Sequence, residues 1–203
     1  MKNKKIILAI IGLIVISCSN INAAQIATIT QQDYPKNENQ ESILLDNTII
    51  RNRMNEFEAL QNKVLMNGTM EEIDRVILEN SLLKAFNIWK GTKYIWGGDS
   101  VEGIDCSALT RRIYRAVFNY ELPRVAIDQA NHGRKIDRSE LKPGDILFFR
   151  PEERVNHTAV YLGNSLFLNA STSQGVVIST LESKYWGKYF KYAVRVDKAR
   201  QSV

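Results

Sequence analysis

Residues 156–171, NHTAVYLGNSLFLNAS, decide the fold class of this chain. Two apolar runs, His157–Leu162 and Leu166–Ala170, flank Gly163-Asn164, and this pattern predicts an antiparallel hairpin. Similar short runs predict three more strands: Ile146–Phe149, Val176–Thr180 and Tyr192–Val196. Because the predicted helices precede these strands along the chain, we expect an α+β fold in which helices pack on a small antiparallel sheet.

Helical patterns occupy the part of the chain before the strands. Apolar residues recur at helical spacing from about 41 to 66, and Asn67-Gly68 then breaks the helix. Thr69 and Glu72 have the spacing of a capping box, which opens a second helix that ends near Gly91. Two further helices are predicted over Cys106–Phe118 and Ala126–His132.

The N-terminus has the pattern of an export signal. Lysines at positions 2, 4 and 5 precede an apolar run from Ile6 to Ile16, which is shorter than the roughly twenty residues that span a membrane. The run ends in Val15-Ile16-Ser17-Cys18, which resembles the lipobox of bacterial lipoproteins, where the cysteine is acylated and becomes the first mature residue. Cleavage after Ala23, which would discard Cys18, is the alternative. Both interpretations place the working protein outside the cytoplasm.

Four segments follow from these patterns: a signal at 1–17, a flexible tether at 18–40, a helical lead-in at 41–80 and a main domain at 81–203. The formal net charge of +5 is divided among them, with +3 in residues 1–17, −3 in 18–90 and +5 in 91–203. The main domain has neither a basic block nor a nucleic-acid-binding motif, so nucleic acid is not an expected partner. A mildly basic domain instead suits a weakly held anionic polymer.

Cys106 is the only cysteine left once Cys18 is acylated or removed, and an unpaired cysteine in an exported protein needs a chemical reason. It lies at a predicted helix N-terminus, whose positive potential favours thiolate, although the neighbouring Asp105 opposes that effect. Thiolate chemistry therefore needs an imidazole partner. Of the two histidines, His132 ends a short polar helix, whereas His157 opens a strand that can hold it in one orientation. These residues lack metal-ligand spacing, and neither a metal nor a cofactor is expected.

Asn169, on the strand that follows His157, is the candidate to orient the imidazole. A three-residue loop over Leu162–Asn164 would place His157 and Asn169 directly opposite each other on one face. A two-residue turn at Gly163-Asn164 would instead place them on opposite faces. The hypothesis therefore requires a loop of three or five residues.

These residues resemble the NlpC-type cysteine peptidases, bacterial cell-wall relatives of papain, from about Leu82 to Val196. Six stretches in order carry the resemblance: Tyr94-Ile95-Trp96-Gly97-Gly98, Gly103-Ile104-Asp105-Cys106-Ser107, Leu122-Pro123-Arg124, residues 141–149 (LKPGDILFF), residues 156–163 (NHTAVYLG) and residues 167–171 (FLNAS). The resemblance implies a papain-like domain of the α+β class. With the lipobox, it is closest to the murein endopeptidase lipoproteins of Gram-negative outer membranes.

The resemblance implies roles for individual residues. Cys106 matches the nucleophile, His157 the general base, and Asn169 the third polar position, which is often His in this family. Tyr94 matches a tyrosine whose hydroxyl lines the site and helps the oxyanion, for which the backbone N–H of Cys106 is the second donor. Two neighbours of the nucleophile, Asp105 and Ser107, match positions that line the substrate cleft.

The implied reaction is hydrolysis of amide bonds in peptidoglycan stem peptides, without a cofactor. The D-alanyl–diaminopimelate cross-link is the favoured bond, and the D-glutamyl–diaminopimelate bond within one stem is the alternative. Two alternatives remain: a non-catalytic peptidoglycan-binding lipoprotein, and an enzyme with acyl-transfer or amidase chemistry on another amide. Ser19, directly after the lipid-bearing Cys18, agrees with an outer-membrane lipoprotein that faces the periplasm, and a secreted soluble protein is the alternative.

Overall fold

The computed structural model describes residues 38–151 and 156–201 of the 203-residue chain. The predicted signal and residues 18–37 of the predicted tether, which include the proposed lipid-attachment residue Cys18, lie outside the described residues. No helix within the described ranges is both long enough and apolar enough to cross a membrane. The described residues from position 42 onward form one structural unit.

Two helices, α1 (Glu38–Asn67) and α2 (Met70–Asn87), open the described part of the chain. Helix α1 thus begins three residues before its predicted start. Between the helices, the Thr69 N–H donates to Glu72 Oε2 at 2.8 Å and the Glu72 N–H donates to Thr69 Oγ1 at 3.3 Å, which confirms the predicted capping box. Helix α1 packs on the core through Phe57, which is buried with residues of α2 and of the sheet.

Helix α3 (Cys106–Phe118) follows a two-stranded sheet of β1 (Asp99–Ser100) and β2 (Gly103–Ile104). It is strongly amphipathic and buries one face, which includes Leu109 and Ile113, against the main sheet and α2. A short helix α4 (Ala126–Gln129) comes next, and its observed end precedes the predicted end by three residues.

The main sheet has six antiparallel strands in the order β3-β8-β4-β5-β6-β7, which confirms the α+β prediction. The strands are β3 (Arg134–Ile136), β4 (Ile146–Phe149), β5 (His157–Gly163), β6 (Leu166–Ser171), β7 (Gly175–Thr180) and β8 (Phe190–Arg195). Helices α5 (Lys184–Tyr189) and α6 (Asp197–Arg200) flank β8. Strand β3 and helices α5 and α6 carried no clear sequence signal.

Alternate residues of the central strands enter two apolar clusters, one on each face of the sheet. In β4, for example, Ile146 belongs to the cluster that includes α2 and α3, whereas Leu147 belongs to the second cluster. In β6, Leu168 and Phe167 divide in the same way. Both faces are therefore covered, which explains why these strands have almost continuous apolar sequences.

The β5–β6 connection differs from the predicted three-residue loop. The turn residues are Asn164 and Ser165, both with positive φ (48° and 64°), and Gly163 pairs with Leu166 across them. The register then shifts by one residue between Tyr161 and Gly163, so that Tyr161 pairs with Phe167. A two-residue turn alone would have moved Asn169 to the other face of the sheet. The register shift is a β-bulge, and its extra residue returns Asn169 to the same face as His157.

Continued along the strands, this register places Asn169 opposite Ala159, two residues from His157 on the same face. The predicted direct opposition of His157 and Asn169 is therefore wrong. The two side chains are diagonal neighbours, a separation that long side chains span.

Candidate active site

Cys106 is the first residue of α3 and is a free, buried cysteine, with 4% of its surface exposed. Asp105 caps the helix, because its Oδ1 accepts from the Ala108 N–H at 2.7 Å. Ile104, in the preceding strand β2, forms a parallel β-bridge with Tyr94. Capping and strand pairing thus hold the thiol at the positive end of the helix.

His157 is the first residue of β5 and is 9% exposed. Its Nε2 lies 2.8 Å from Asn169 Oδ1, and Asn169 Nδ2 donates to Ser179 Oγ at 3.0 Å. Since the amide oxygen can only accept, Nε2 carries the proton and Nδ1 is left for another partner. Three successive strands, β5, β6 and β7, therefore fix the orientation of the imidazole.

Cys106 and His157 interact by charge and by a hydrogen bond. Burial raises the pKa of the Cys106 thiol, but the charge and hydrogen bond of His157 and the backbone N–H of Thr158 together bring it below its ordinary value. Burial lowers the pKa of His157, and the charge and hydrogen bond of Cys106, with the hydrogen bond of Asn169, bring it above its ordinary value. Opposite shifts favour a thiolate–imidazolium pair.

Aromatic rings pack around the imidazole. The Trp186 ring lies with its centroid 5.0 Å from that of His157 at an interplanar angle of 32°, and the Phe149 ring lies at 6.0 Å. These rings exclude water from one side of His157, and a hydrogen bond in such a low-dielectric setting is strengthened.

A cleft of about 410 Å³ opens beside the thiol. Its lining combines apolar and polar side chains: Trp96, Gly97, Asp105, Cys106, Ser107, Arg124, Val125, Ala126, Ile127 and Asn156. Arg124 forms an ion pair with Asp105 at 2.8 Å and donates to Ser107 Oγ at 2.9 Å. The sequence-predicted cleft residues Asp105 and Ser107 are thus both in the lining and both held by Arg124.

Tyr94 is half-buried and close enough to Cys106 for the two groups to interact electrostatically. Burial, together with the negative charges of Cys106 and Asp105, raises the pKa of its phenol well above the usual value, so the hydroxyl keeps its proton and can donate. The other histidine, His132, is paired with the Tyr120 hydroxyl at 2.9 Å. The structure brings Tyr94 to the thiol and leaves His132 outside the site.

The site also includes residues that carried no predicted role, among them Arg124, Gln129, Ser179 and Trp186. Arg124 belongs to one of the six stretches that match the family, so the sequence pointed to this residue but not to its ion pair with Asp105. Gln129 is completely buried between α3 and β5, and Ser179 and Trp186 reach the site from β7 and α5. Within the described residues, no group of three or more His, Cys, Asp or Glu side chains is arranged to hold a metal ion.

Comparison with known proteins gives concordant matches. Residues 91–195 match the NlpC/P60 family. A probable endopeptidase NlpC homolog of Haemophilus influenzae is 39% identical over 193 residues, which are 95% of this chain and 98% of the relative. The murein DD-endopeptidase MepS/murein LD-carboxypeptidase of Escherichia coli K12 is 38% identical over 124 residues, 61% of this chain and 66% of the relative.

Among solved structures, an NlpC/P60 family protein from Bacillus cereus superposes with a TM-score of 0.53 and 27% identity, over 58% of this chain and 40% of that longer chain. The chain therefore belongs to the NlpC/P60 family, as the sequence motifs indicated. The two relatives described above are named as endopeptidases, and the chain is a hydrolase of the peptidase class.

Proposed function

We propose that this protein is a peptidoglycan endopeptidase that hydrolyses amide bonds in stem peptides with Cys106, His157 and Asn169. The observation that carries the proposal is the buried Cys106–His157 pair, oriented by the 2.8 Å bond to Asn169 and open to a cleft on its thiol side. The name of the Escherichia coli relative, a murein endopeptidase, supports the substrate class.

The reaction proceeds in two stages. The Cys106 thiolate attacks the scissile carbonyl carbon, and the imidazolium of His157 gives its proton to the leaving amine as the amide C–N bond breaks. Water then attacks the resulting thioester, with His157 as general base, and releases the carboxylic acid and the thiol. The hydrogen bond from Nε2 to Asn169 keeps Nδ1 directed at the reacting atoms in both stages.

Charge develops on the carbonyl oxygen during both stages. The backbone N–H of Cys106 at the start of α3 and the hydroxyl of Tyr94 are the proposed donors to this oxyanion. Loss of one such donor typically costs about 100- to 1,000-fold in kcat. Asp105 and Ser107 line the substrate cleft, where Arg124 holds them in place.

The D-alanyl–diaminopimelate cross-link is the proposed scissile bond, and the D-glutamyl–diaminopimelate bond is the alternative. Support for the first comes from the "murein DD-endopeptidase" part of the Escherichia coli relative's name. The proposed address is the periplasmic face of the outer membrane, with a lipid on Cys18. An intact mass of the membrane-bound protein, compared with that of Cys18→Ala, tests whether Cys18 carries the lipid.

Digestion of purified sacculi, read by muropeptide mass, tests the activity. The wild type should convert cross-linked dimers into monomers, whereas Cys106→Ala should not. Shortened stems without loss of dimers would instead identify the D,L bond. His132→Ala is a matched control for His157→Ala, because it removes the other histidine while leaving the proposed reacting groups in place.

Identical digests from wild type and Cys106→Ala would refute hydrolysis. The protein would then be a peptidoglycan-binding member of the family, and co-sedimentation with sacculi by both variants would reveal that role. A product other than a cleaved stem peptide would point to acyl transfer or to another amide.

A further inference from the structure

The two proposed reacting side chains sit on separate elements, and their separation depends on how those elements are joined. Cys106 begins α3, and His157 begins β5, fifty-one positions later in the chain. Thiol-to-imidazole proton transfer is sensitive to errors of about 1 Å in such a distance. A side chain that connects the two elements next to the reacting groups would therefore control their spacing.

Gln129, the last residue of α4, makes this connection. Its side chain is completely buried and forms three hydrogen bonds of 2.8 Å. Nε2 donates to the carbonyl oxygens of Ser107 and Pro123, and Oε1 accepts from Thr158 Oγ1. Ser107 directly follows the nucleophile and Thr158 directly follows the base, so one amide spans the two elements.

The amide can adopt only one orientation. If it were flipped, Oε1 would face two carbonyl oxygens, and neither could donate to it. In the observed orientation, each N–H group donates one hydrogen bond and the carbonyl oxygen accepts one, in a site that is closed to water. A fully satisfied buried amide of this kind rigidifies the elements it joins.

Thr158 transmits the connection directly to the thiol. It is completely buried, and its backbone N–H lies close enough to Cys106 to lower the pKa of the thiol. Thr158 therefore contacts Cys106 through its backbone N–H and Gln129 through its side-chain hydroxyl. On the opposite side of the α3 start, Arg124 holds Asp105 and Ser107.

We propose that Gln129 is a positioning residue, which sets the separation of Cys106 and His157 through its bonds to Ser107 and Thr158. This inference rests on the proposed function, because it takes these two residues as the reacting pair. Gln129 itself does not touch the substrate in this scheme. Its loss weakens the pair without removing either member.

The test is the pH dependence of Cys106 alkylation by iodoacetamide in the full chain, followed by mass spectrometry of the Cys106 peptide. Besides His157, the charged or titratable groups that face the thiol are Asp105, Tyr94 and Arg124, and the variants leave all of them in place. In Gln129→Leu the thiol should titrate closer to an ordinary cysteine, near 8.5. Once the thiol pKa lies above the pH of the assay, each further unit by which it rises lowers the alkylation rate about tenfold.

A pair of variants at Thr158 covers the case in which Gln129→Leu does not fold. Thr158→Val removes the hydroxyl in nearly the same shape and should shift the profile in the same direction, whereas Thr158→Ser should restore the wild-type profile. Tyr114→Phe is the structural control, since it deletes another buried hydrogen bond of α3, from Tyr114 to the Gly144 carbonyl at 2.6 Å. It should lower Tm without moving the profile.

Two results would overturn the inference in distinguishable ways. If Gln129→Leu and Thr158→Val lower Tm but leave the alkylation profile unchanged, as Tyr114→Phe should, Gln129 is only a packing residue and the proposed function stands. If the wild-type thiol titrates as an ordinary cysteine and His157→Ala does not alter its profile, the reacting pair itself is wrong, and the proposed function fails together with the inference.

Discussion

Replacement of Asn169 by Ala tests the part of the proposed mechanism that departs from the more usual histidine of this family. The substitution removes the acceptor of the His157 Nε2–H bond and leaves that N–H in a buried site. It also removes the donor to Ser179 Oγ. Cys106, the cleft and the backbone register are unaffected, so the variant isolates the orientation of the imidazole.

The size of the effect follows from the geometry. The bond from Nε2 to Asn169 is 2.8 Å long, and the imidazole carries a positive charge in the proposed ion pair. Hydrogen bonds to charged groups contribute about 1.5–3 kcal/mol. Since about 1.4 kcal/mol corresponds to a tenfold change in rate, kcat/KM should fall about 10- to 150-fold.

The assay is the initial rate of hydrolysis of an isolated cross-linked muropeptide dimer across a range of pH. The Asn169→Ala profile should be lower throughout, and its acid limb should lie at higher pH, because a less stable imidazolium stabilises the thiolate less. Asn169→His should retain activity with a shifted profile. Ser179→Ala, which breaks only the outer bond, should have a smaller effect. Wild-type rates and an unchanged profile in Asn169→Ala would refute the orienting role.

Three further outcomes are expected. His157→Ala should raise the pKa of Cys106, because burial then acts without the charge and hydrogen bond of the imidazole, and should slow alkylation at pH 6. Each unit by which the pKa rises above 6 lowers the rate about tenfold. Arg195→Met removes the main partner of the completely buried Asp145 carboxylate and should cost about 3 kcal/mol, or about 6–12 °C in Tm by calorimetry. Glu79→Gln should raise Tm at pH 7: burial raises the pKa of Glu79, so the wild type loses stability as pH rises above 4.5, and the difference should vanish near pH 4.

Each of these expectations has a contrary result. An unchanged alkylation profile in His157→Ala would place the imidazole outside the ion pair, and His132→Ala controls for loss of a histidine in general. A Tm loss of under about 2 °C in Arg195→Met would mean that Arg200, which also binds Asp145, satisfies the carboxylate alone. A lower Tm in Glu79→Gln at pH 7 would show that the hydrogen bond from Gln61 and the attraction of Arg75 together outweigh the cost of burial.

Local patterns predicted much of the scaffold. The capping box at Thr69, the start of α3 at Cys106 and strand β4 over Ile146–Phe149 all depend on interactions within a few residues, and the structure has them as predicted. The positions of Cys106 and His157 could be predicted because the start of a helix and the start of a strand depend on the sequence within a few residues. Strand β3 was missed since its three residues are too few to show a period.

Connections across the sheet and between elements had no such local signal. Gln129 is an ordinary polar residue in a four-residue helix, and only the approach of α3 and β5 makes its amide a bridge. Trp186 faces His157 only because the chain passes through β7 before returning in α5. The surroundings of Gln129 and Trp186 are formed by elements that are distant in sequence, so no local pattern predicts them.

The sequence by itself determined the order of the longer helices and of five strands of the main sheet, the identity of the family, and the candidate nucleophile and base. Only the tertiary structure decided how Asn169 reaches His157. Side chains along a strand alternate between the two faces of the sheet, so one extra residue moves all the following side chains to the other face. The bulge before Gly163 supplies that residue. The residues next to it contact α1, roughly a hundred residues away: Asn164 Nδ2 donates to the Arg53 carbonyl at 2.8 Å, and Gly163 packs where a Cβ would come within 3.2 Å of Phe57.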